Sequence, residues 1–217
     1  MTIQYWGHSC FKIIEKEITI ATDPFPKEIG LKEPRFSADI LTISHQHWDH
    51  NFKEAIKNSP FIIDQPGEYE IKGIFIKGIP SFHDDCQGKK RGVNTIFSFE
   101  IGGINLVHFG DFGQSELTEE QLSELTKTDI LLLPVGGFYT IGPKEAHKII
   151  LKLEPRIVIP MHYFLEGLKI KEILPLDNFL AEMGVEKNEK EKLTIKKNDL
   201  KEGEVEIICL KPLAAKK

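Results

Sequence analysis

One stretch constrains this chain more than any other: Ser44-His45-Gln46-His47-Trp48-Asp49-His50-Asn51, which follows directly on the apolar run Ile40-Leu41-Thr42-Ile43. It sets three imidazoles and a carboxylate within six consecutive positions. Neutral imidazole and carboxylate are the ligands that borderline divalent metals prefer, so the stretch reads as a metal site delivered by the end of a strand. In an extended chain His45 and His47 point the same way, whereas Asp49 and His50, as neighbours, diverge. Two ligand pairs on one turning loop can therefore serve two neighbouring metals. The rival reading, a polar loop in which histidines gather by chance, has to account for three of the chain's eight histidines in one place.

The 217 residues suit one large domain better than two small ones, and the chain is read as a single domain over 1–217. A hydrophobic share of 41% with 28% charged residues is that of an ordinary soluble globular protein. The net charge of −5, with no basic stripe before the Lys-rich end, gives no footprint for duplex nucleic acid. Cys10, Cys86 and Cys209 are odd in number and far apart, which speaks against a disulfide framework and for a reducing compartment. Met1 to Trp6 lacks the charged and apolar regions of a signal peptide, and no apolar run approaches the length of a membrane span. The simplest class is a cytoplasmic enzyme acting on a small molecule, without a nucleic-acid or membrane partner and with a homo-oligomer left open.

Along the chain, Cys10–Ile14 and Ile18–Ala21 predict a hairpin, and Thr22-Asp23-Pro24-Phe25-Pro26 stops its second strand. Asp39 to Ile43 is a buried strand that delivers the histidine loop, and Asn51 to Lys57 is expected to begin a short helix with its positive end toward the cluster. Further strands are expected at Phe61–Ile63, Tyr69–Ile71 and Ile74–Ile79, with a loop from Ser81 to Gly92. Gly102-Gly103 between Thr95–Phe99 and Ile104–Phe109 is a two-residue hairpin signal. Thr118-Glu119-Glu120-Gln121 fits a capping box, and Pro143 opens a helix with Ala146, Ile149, Ile150 and Leu153 on one face. Buried strands at Asp129–Pro134 and Arg156–Tyr163, a helix over Leu176–Met183 ended by Gly184, and two last strands near Leu193–Ile195 and Val205–Leu210 complete the reading. Strands first and helices later are compatible with two sheets packed face to face under helices.

Three more potential ligands share the grammar of the first cluster, each lying in or just after a loop that follows an apolar strand: His83, Asp111 and His162. With His45, His47, Asp49 and His50 they make seven groups, enough for two metals with three terminal ligands each and one shared carboxylate. Two metals a few ångströms apart can hold a hydroxide between them.

The run His45-Gln46-His47-Trp48-Asp49-His50 resembles the H-x-H-x-D-H signature of the metallo-β-lactamase superfamily, and Gly110-Asp111 and His162 match that family's later motifs in order. Gly7-His8-Ser9-Cys10-Phe11, Thr22-Asp23-Pro24, Val135 to Thr140 and Pro160-Met161-His162-Tyr163 are similar, more narrowly, to the subgroup that includes ascorbate-6-phosphate lactonase and many metal-dependent hydrolases. The resemblance implies an α/β fold, a four-layer αβ/βα sandwich of two mixed sheets flanked by helices, with the active site at one edge. It implies two divalent ions, zinc or else manganese: His45, His47 and His83 on the first, Asp49, His50 and His162 on the second, and Asp111 between them. His108 is the rival to His83, although it falls on the same strand face as Ile104 and Leu106, which reads as core. His8 reads as a residue near the site that is not a ligand, and His147 as a surface residue.

The reaction so implied is attack of a metal-bridged hydroxide on a small ester, lactone or phosphoester, with Asp49 and Asp111 as the catalytic carboxylates. Arg91, Asn94, Tyr139 and Tyr163 are candidates for substrate contacts. Arg91 has the fork to hold a phosphate or carboxylate, and Lys89-Lys90-Arg91 also reads as a solvated charge run. Two alternatives remain. One is an iron-dependent redox protein on the same fold, although flavodiiron proteins carry glutamate where this chain has His47; the other is a non-catalytic metal-binding protein.

Overall fold

Polar and apolar residues alternate along Thr2–Gly7, so that Ile3 and Tyr5 are buried and Thr2 and Gln4 are not, the period of a half-buried strand. This first strand is not among those expected from the sequence. In the computed structural model, which describes residues 1–214, it lies second in a six-stranded sheet. The spatial order is Leu193–Thr194, Thr2–Gly7, Cys10–Glu15, Ile18–Thr22, Ile40–Thr42 and Phe61–Ile63. The first four pair antiparallel, and the last two join in parallel.

A seven-stranded sheet repeats that division. Its order is Glu206–Ile207, Ile157–Met161, Ile130–Pro134, Ile104–His108, Val93–Ile101, Ile74–Phe82 and Gly67–Ile71. The first four are parallel and the rest antiparallel, with Gly102 and Gly103 at φ +58° and +77° making the expected two-residue turn. Every residue of Ile40–Thr42, Ile130–Pro134 and Ile157–Met161 is buried, as parallel strands covered on both faces must be. One continuous core takes Tyr5, Phe11 and Ile13 from the first sheet and Phe97, Phe99 and Leu106 from the second.

Helix α1, Glu119–Leu125, starts on the expected capping box: the Gln121 N–H donates to Thr118 Oγ1 at 3.2 Å, and the Thr118 N–H donates to Gln121 Oε1 at 3.0 Å. Helix α2, Pro143–Leu153, buries Ala146, Ile149, Ile150 and Leu153 as its spacing predicts, and α3, Leu176–Met183, ends on Gly184 at φ +66°. The helix expected from Asn51 does not form. Only a single 3-10 turn, Lys53–Ala55, is present, because Ile56–Lys57 pairs as a short parallel strand with Phe36–Ser37. No helix dipole therefore points at the histidines from this segment. No helix among the described residues is long and apolar enough to cross a membrane.

In each sheet the parallel strands direct their carboxyl ends toward one edge, the side on which open α/β sheets carry their sites. The loops that leave those ends hold the residues singled out by the sequence.

Candidate metal centre

From the first sheet come the turn at His8, Asp23 after Ile18–Thr22, and the loop Ser44–Asn51 after Ile40–Thr42. From the second come His83 after Ile74–Phe82, Asp111 after Ile104–His108, and His162 after Ile157–Met161. His8, Asp23 and His162 hold positive φ values of 55°, 37° and 52° without being glycine. Such backbone costs on the order of 1–3 kcal/mol each and persists where surrounding structure fixes it. Here the fixing bonds are visible: the His8 carbonyl accepts from Tyr5 Oη at 2.9 Å and from the His162 N–H at 2.8 Å, tying the two sheets together at the site.

All seven predicted groups meet. The ring donors of His45, His47 and His83 lie within 4.8 Å of one another. A second triad with the same spread consists of His8, His50 and His162. Asp111 stands between the two, with its Oδ2 3.2 Å from His50 Nε2, 3.3 Å from His83 Nε2, 3.2 Å from His162 Nε2 and 4.0 Å from His45 Nε2. Asp49 Oδ2 lies 3.9 Å from His50 Nε2 and 3.2 Å from His8 Nε2. Glycines permit the approach: a Cβ at Gly113 would lie 2.5 Å from the His83 carbonyl carbon, and one at Gly136 would lie 2.1 Å from the His162 oxygen.

The residues fit divalent-metal coordination. Ligands about 2.0–2.1 Å from a tetrahedral ion stand about 3.3 Å from each other, the spacing found around Asp111 Oδ2. The buried Nε2 atoms of His45 and His50 have no hydrogen-bond partner among the described residues, while their Nδ1 atoms are held by Ser44 Oγ at 2.9 Å and Asp23 Oδ2 at 3.1 Å. An imidazole anchored on one nitrogen and free on the other is the arrangement of a metal ligand. A third grouping of Asp23 with His45 and His50 is geometrically close, but the Asp23 carboxylate is already taken. It accepts from the Ser44 N–H at 2.8 Å and from Ser44 Oγ at 2.5 Å as well as facing His50. Asp23 thus orients His50 directly and His45 through Ser44, a role its sequence context does not announce although it follows a buried strand as the others do.

Protonation favours the same reading. Burial, with His50 adding to it, holds the His45 imidazole well below its ordinary value, and burial lowers His47 too. Burial, then His162 and His50, bring His8 down to about 4. Burial opposes the charged forms of Asp49 and Asp111, yet the imidazoles around them outweigh it and both stay below the carboxylate range. His50 is the exception: burial pulls it down, but Asp111 and Asp49 together raise it well above the ordinary value. Charged carboxylates beside the lowered imidazoles of His45 and His47 are donors of the kind a divalent cation requires.

A cavity of about 440 Å³ opens onto the cluster. Buried His83, Asp111 and His162 line it together with Asp49, and the exposed or half-buried His47, Trp48, Lys90, Arg91, Tyr139 and Ile170 lie toward its mouth. Asn94 and Tyr163 do not line it. Buried Asn94 accepts the Asp111 N–H at 2.9 Å and donates to the Phe109 carbonyl at 3.0 Å, so it sets the Asp111 loop, and Tyr163 is packed against Tyr5 with its hydroxyl raised by burial. His108 uses both ring nitrogens on backbone, Nε2 to the Ser9 carbonyl at 2.9 Å and Nδ1 from the Gly110 N–H at 3.2 Å, and has none to offer an ion. His147 sits against Glu182 between α2 and α3 at 3.3 Å. A larger cavity, about 870 Å³, lies by Trp6, Leu31 and Lys169 and contains none of the histidines.

Two mixed sheets whose strand ends join seven such groups define a class of metal centre, and comparison with known proteins places it. The Beta-lactamase superfamily domain matches residues 2–162. A UPF0173 metal-dependent hydrolase of Thermococcus onnurineus is 31% identical over 193 residues, 74% of this chain and 84% of that one. Another, from Methanosarcina mazei, is 31% identical over 197 residues, 75% of this chain and 83% of that one. A crystal structure from Thermotoga maritima, of a candidate Zn-dependent hydrolase of the metallo-β-lactamase superfamily, is 37% identical and superposes with a TM-score of 0.80 over 97% of this chain and 99% of that one. The chain belongs to the metallo-β-lactamase superfamily and has its αβ/βα fold; within it, the chain belongs with the UPF0173 metal-dependent hydrolases.

Proposed function

We propose that the protein is a binuclear metal-dependent hydrolase that cleaves a small ester, lactone or phosphoester. The observation that carries the reading is Asp111 Oδ2, which faces imidazoles of both triads at 3.2–3.3 Å. One carboxylate oxygen so placed is suited to bridge two ions. His45, His47 and His83 would hold one, and Asp49, His50 and His162 the other, with zinc favoured by the histidine-rich set and by the Thermotoga relative's description, and manganese as the alternative.

Such ions supply polarisation of the electrophile's oxygen and acidification of water. The chain's own groups do the remainder. Asp111, charged and fixed by Asn94, orients whatever binds between the triads. Asp49 keeps about 15% of its side chain exposed to the cavity, and His8 tethers its Oδ2, which would hold the carboxylate in place to bind the second ion and orient the attacking water. Similarity to ascorbate-6-phosphate lactonase at the turn Gly7-His8-Ser9 keeps a lactone among the three substrate types.

Metal analysis of the purified protein by mass spectrometry, with a screen of active esters, lactones and phosphodiesters, tests the proposal. About two zinc or manganese ions per chain with hydrolysis supports it. Iron accompanied by redox activity, or no stoichiometric metal, would sink it.

A further inference from the structure

The loop that follows His83 is built around one carboxylate. Asp84 is buried and accepts four backbone N–H groups, from Cys86 at 2.9 Å, Gly88 at 2.7 Å, Lys90 at 2.8 Å and Arg91 at 2.8 Å. These bonds hold its pKa low against the opposing effect of burial. The loop is closed by the Gly92 N–H to the Gly88 carbonyl at 3.0 Å and by the His83 N–H to the Gly92 carbonyl at 3.1 Å. Lys90 and Arg91 are thereby presented at the cavity mouth by a backbone that is ordered before any ligand arrives.

Arg91 differs from the chain's other arginines. Arg35 pairs with Glu33 at 3.0 Å, and Arg156 donates to the Lys201 carbonyl at 2.9 Å. Arg91 has no carboxylate partner among the described residues; its guanidinium lies 5.4 Å over the Tyr139 ring, whose hydroxyl is turned to Glu172 at 3.4 Å. This cation–π contact holds the guanidinium beside the ring and leaves its N–H groups free to meet an anion in bidentate fashion. Trp48 and Ile170 line the same cavity and offer apolar surface and no charge.

We infer that Arg91, positioned by the Asp84-centred loop, is the specificity-determining residue for a substrate carrying a non-reacting anionic group, carboxylate or phosphate, beside the bond that is cleaved. The inference rests on the hydrolase reading above and names the substrate class of that site. The reacting bond lies over Asp49 and Asp111, the anion under Arg91, and the apolar part of the substrate against Trp48. Asp84 is a positioning residue that acts through the backbone of Lys90 and Arg91.

The test uses metal-loaded full-length protein and three chromogenic esters of equal acyl length, ending in a methyl group, a carboxylate or a phosphate. Wild type is expected to prefer the anionic esters by about tenfold in kcat/KM, chiefly through KM. Arg91→Ala should bring that ratio close to one and Arg91→Lys should keep part of it. Asp84→Asn should also reduce it with the metal content unchanged. The carboxylate and phosphate arms identify which anion is favoured. No preference in wild type, or a preference that survives Arg91→Ala, overturns the inference; loss of metal in Asp84→Asn overturns the positioning role, because the loop would then serve His83 instead of the mouth. Should metal-loaded wild type cleave none of the esters, the hydrolase reading fails separately. Calorimetric titration with benzoate and phenylphosphonate then decides the subsite, with about tenfold weaker binding to Arg91→Ala expected and equal binding counting against it.

Discussion

His47 stands open at the cavity while His50, three residues further along the same loop, has no exposed surface, and the triads they belong to differ in the same sense. The triad of His45, His47 and His83 has one anchored ring, His45 on Ser44. That of His8, His50 and His162 is wholly buried, with His50 anchored on Asp23 and His8 on Asp49. Ligands whose rotamers are already fixed lose little freedom on binding, whereas an exposed ring must be ordered at that moment. The sealed site of Asp49, His50 and His162, with His8 holding Asp49 in place, is therefore expected to fill first and the open triad to exchange.

The largest effect should come where the two triads are equal. Asp111→Ala removes the group common to both, and metal analysis should show loss of both ions with hydrolysis down by more than about a hundredfold, beyond what an orienting residue costs. Retention of one tight ion would make the triads independent and break the comparison. Asp23→Ala should weaken the sealed triad by about 10–100-fold in metal affinity, measured by competition with a chelator, and should destabilise the fold by about 3–5 kcal/mol because it strips a buried partner from His50.

Acid separates the triads in the metal-free protein. His8 titrates at about 4 when folded and at about 6.5 when unfolded. Between those values the unfolded chain holds the extra proton, so stability falls as pH drops through that window, by on the order of 3 kcal/mol from His8. His50 acts in the opposite sense and elsewhere: its raised value gives stability that is complete below about 6.5 and lost as pH rises through its folded pKa. Urea unfolding of His8→Gln across pH 4–8 should show a flattened acid limb and an unchanged alkaline one. The smallest change in stability belongs to His47→Ala: one ion lost by mass spectrometry, and the unfolding free energy of the metal-free protein within about 0.5 kcal/mol of wild type. A shift as large as that of Asp23→Ala would show that openness at His47 is only superficial.

What could be read from the chain followed its local chemistry. His45 to His50, His83, Asp111 and His162 each end a strand, and strand ends on one edge must meet; the capping box at Thr118 and the paired glycines at 102 and 103 signal their elements within four residues. Residues that work through another residue leave no such spacing. Asp23 and Asp84 look in sequence like a strand stop and one acid of a loop, Asn94 reads there as a substrate contact, and only the fold shows what each holds. The helix misread at Asn51 has the same origin, because its competitor, the pairing of Ile56 with Phe36, spans twenty residues.

Each proposed ligand set draws on both sheets: His45 and His47 from one with His83 from the other, and Asp49 and His50 with His162. An ion bound in either would act as a rivet through the sandwich, because the sheets could not part without opening its shell. Such a rivet adds about 2.7 kcal/mol at a hundred times its dissociation constant, so the melting temperature becomes a gauge of free metal, and starvation for the ion would loosen the fold before it silenced the chemistry.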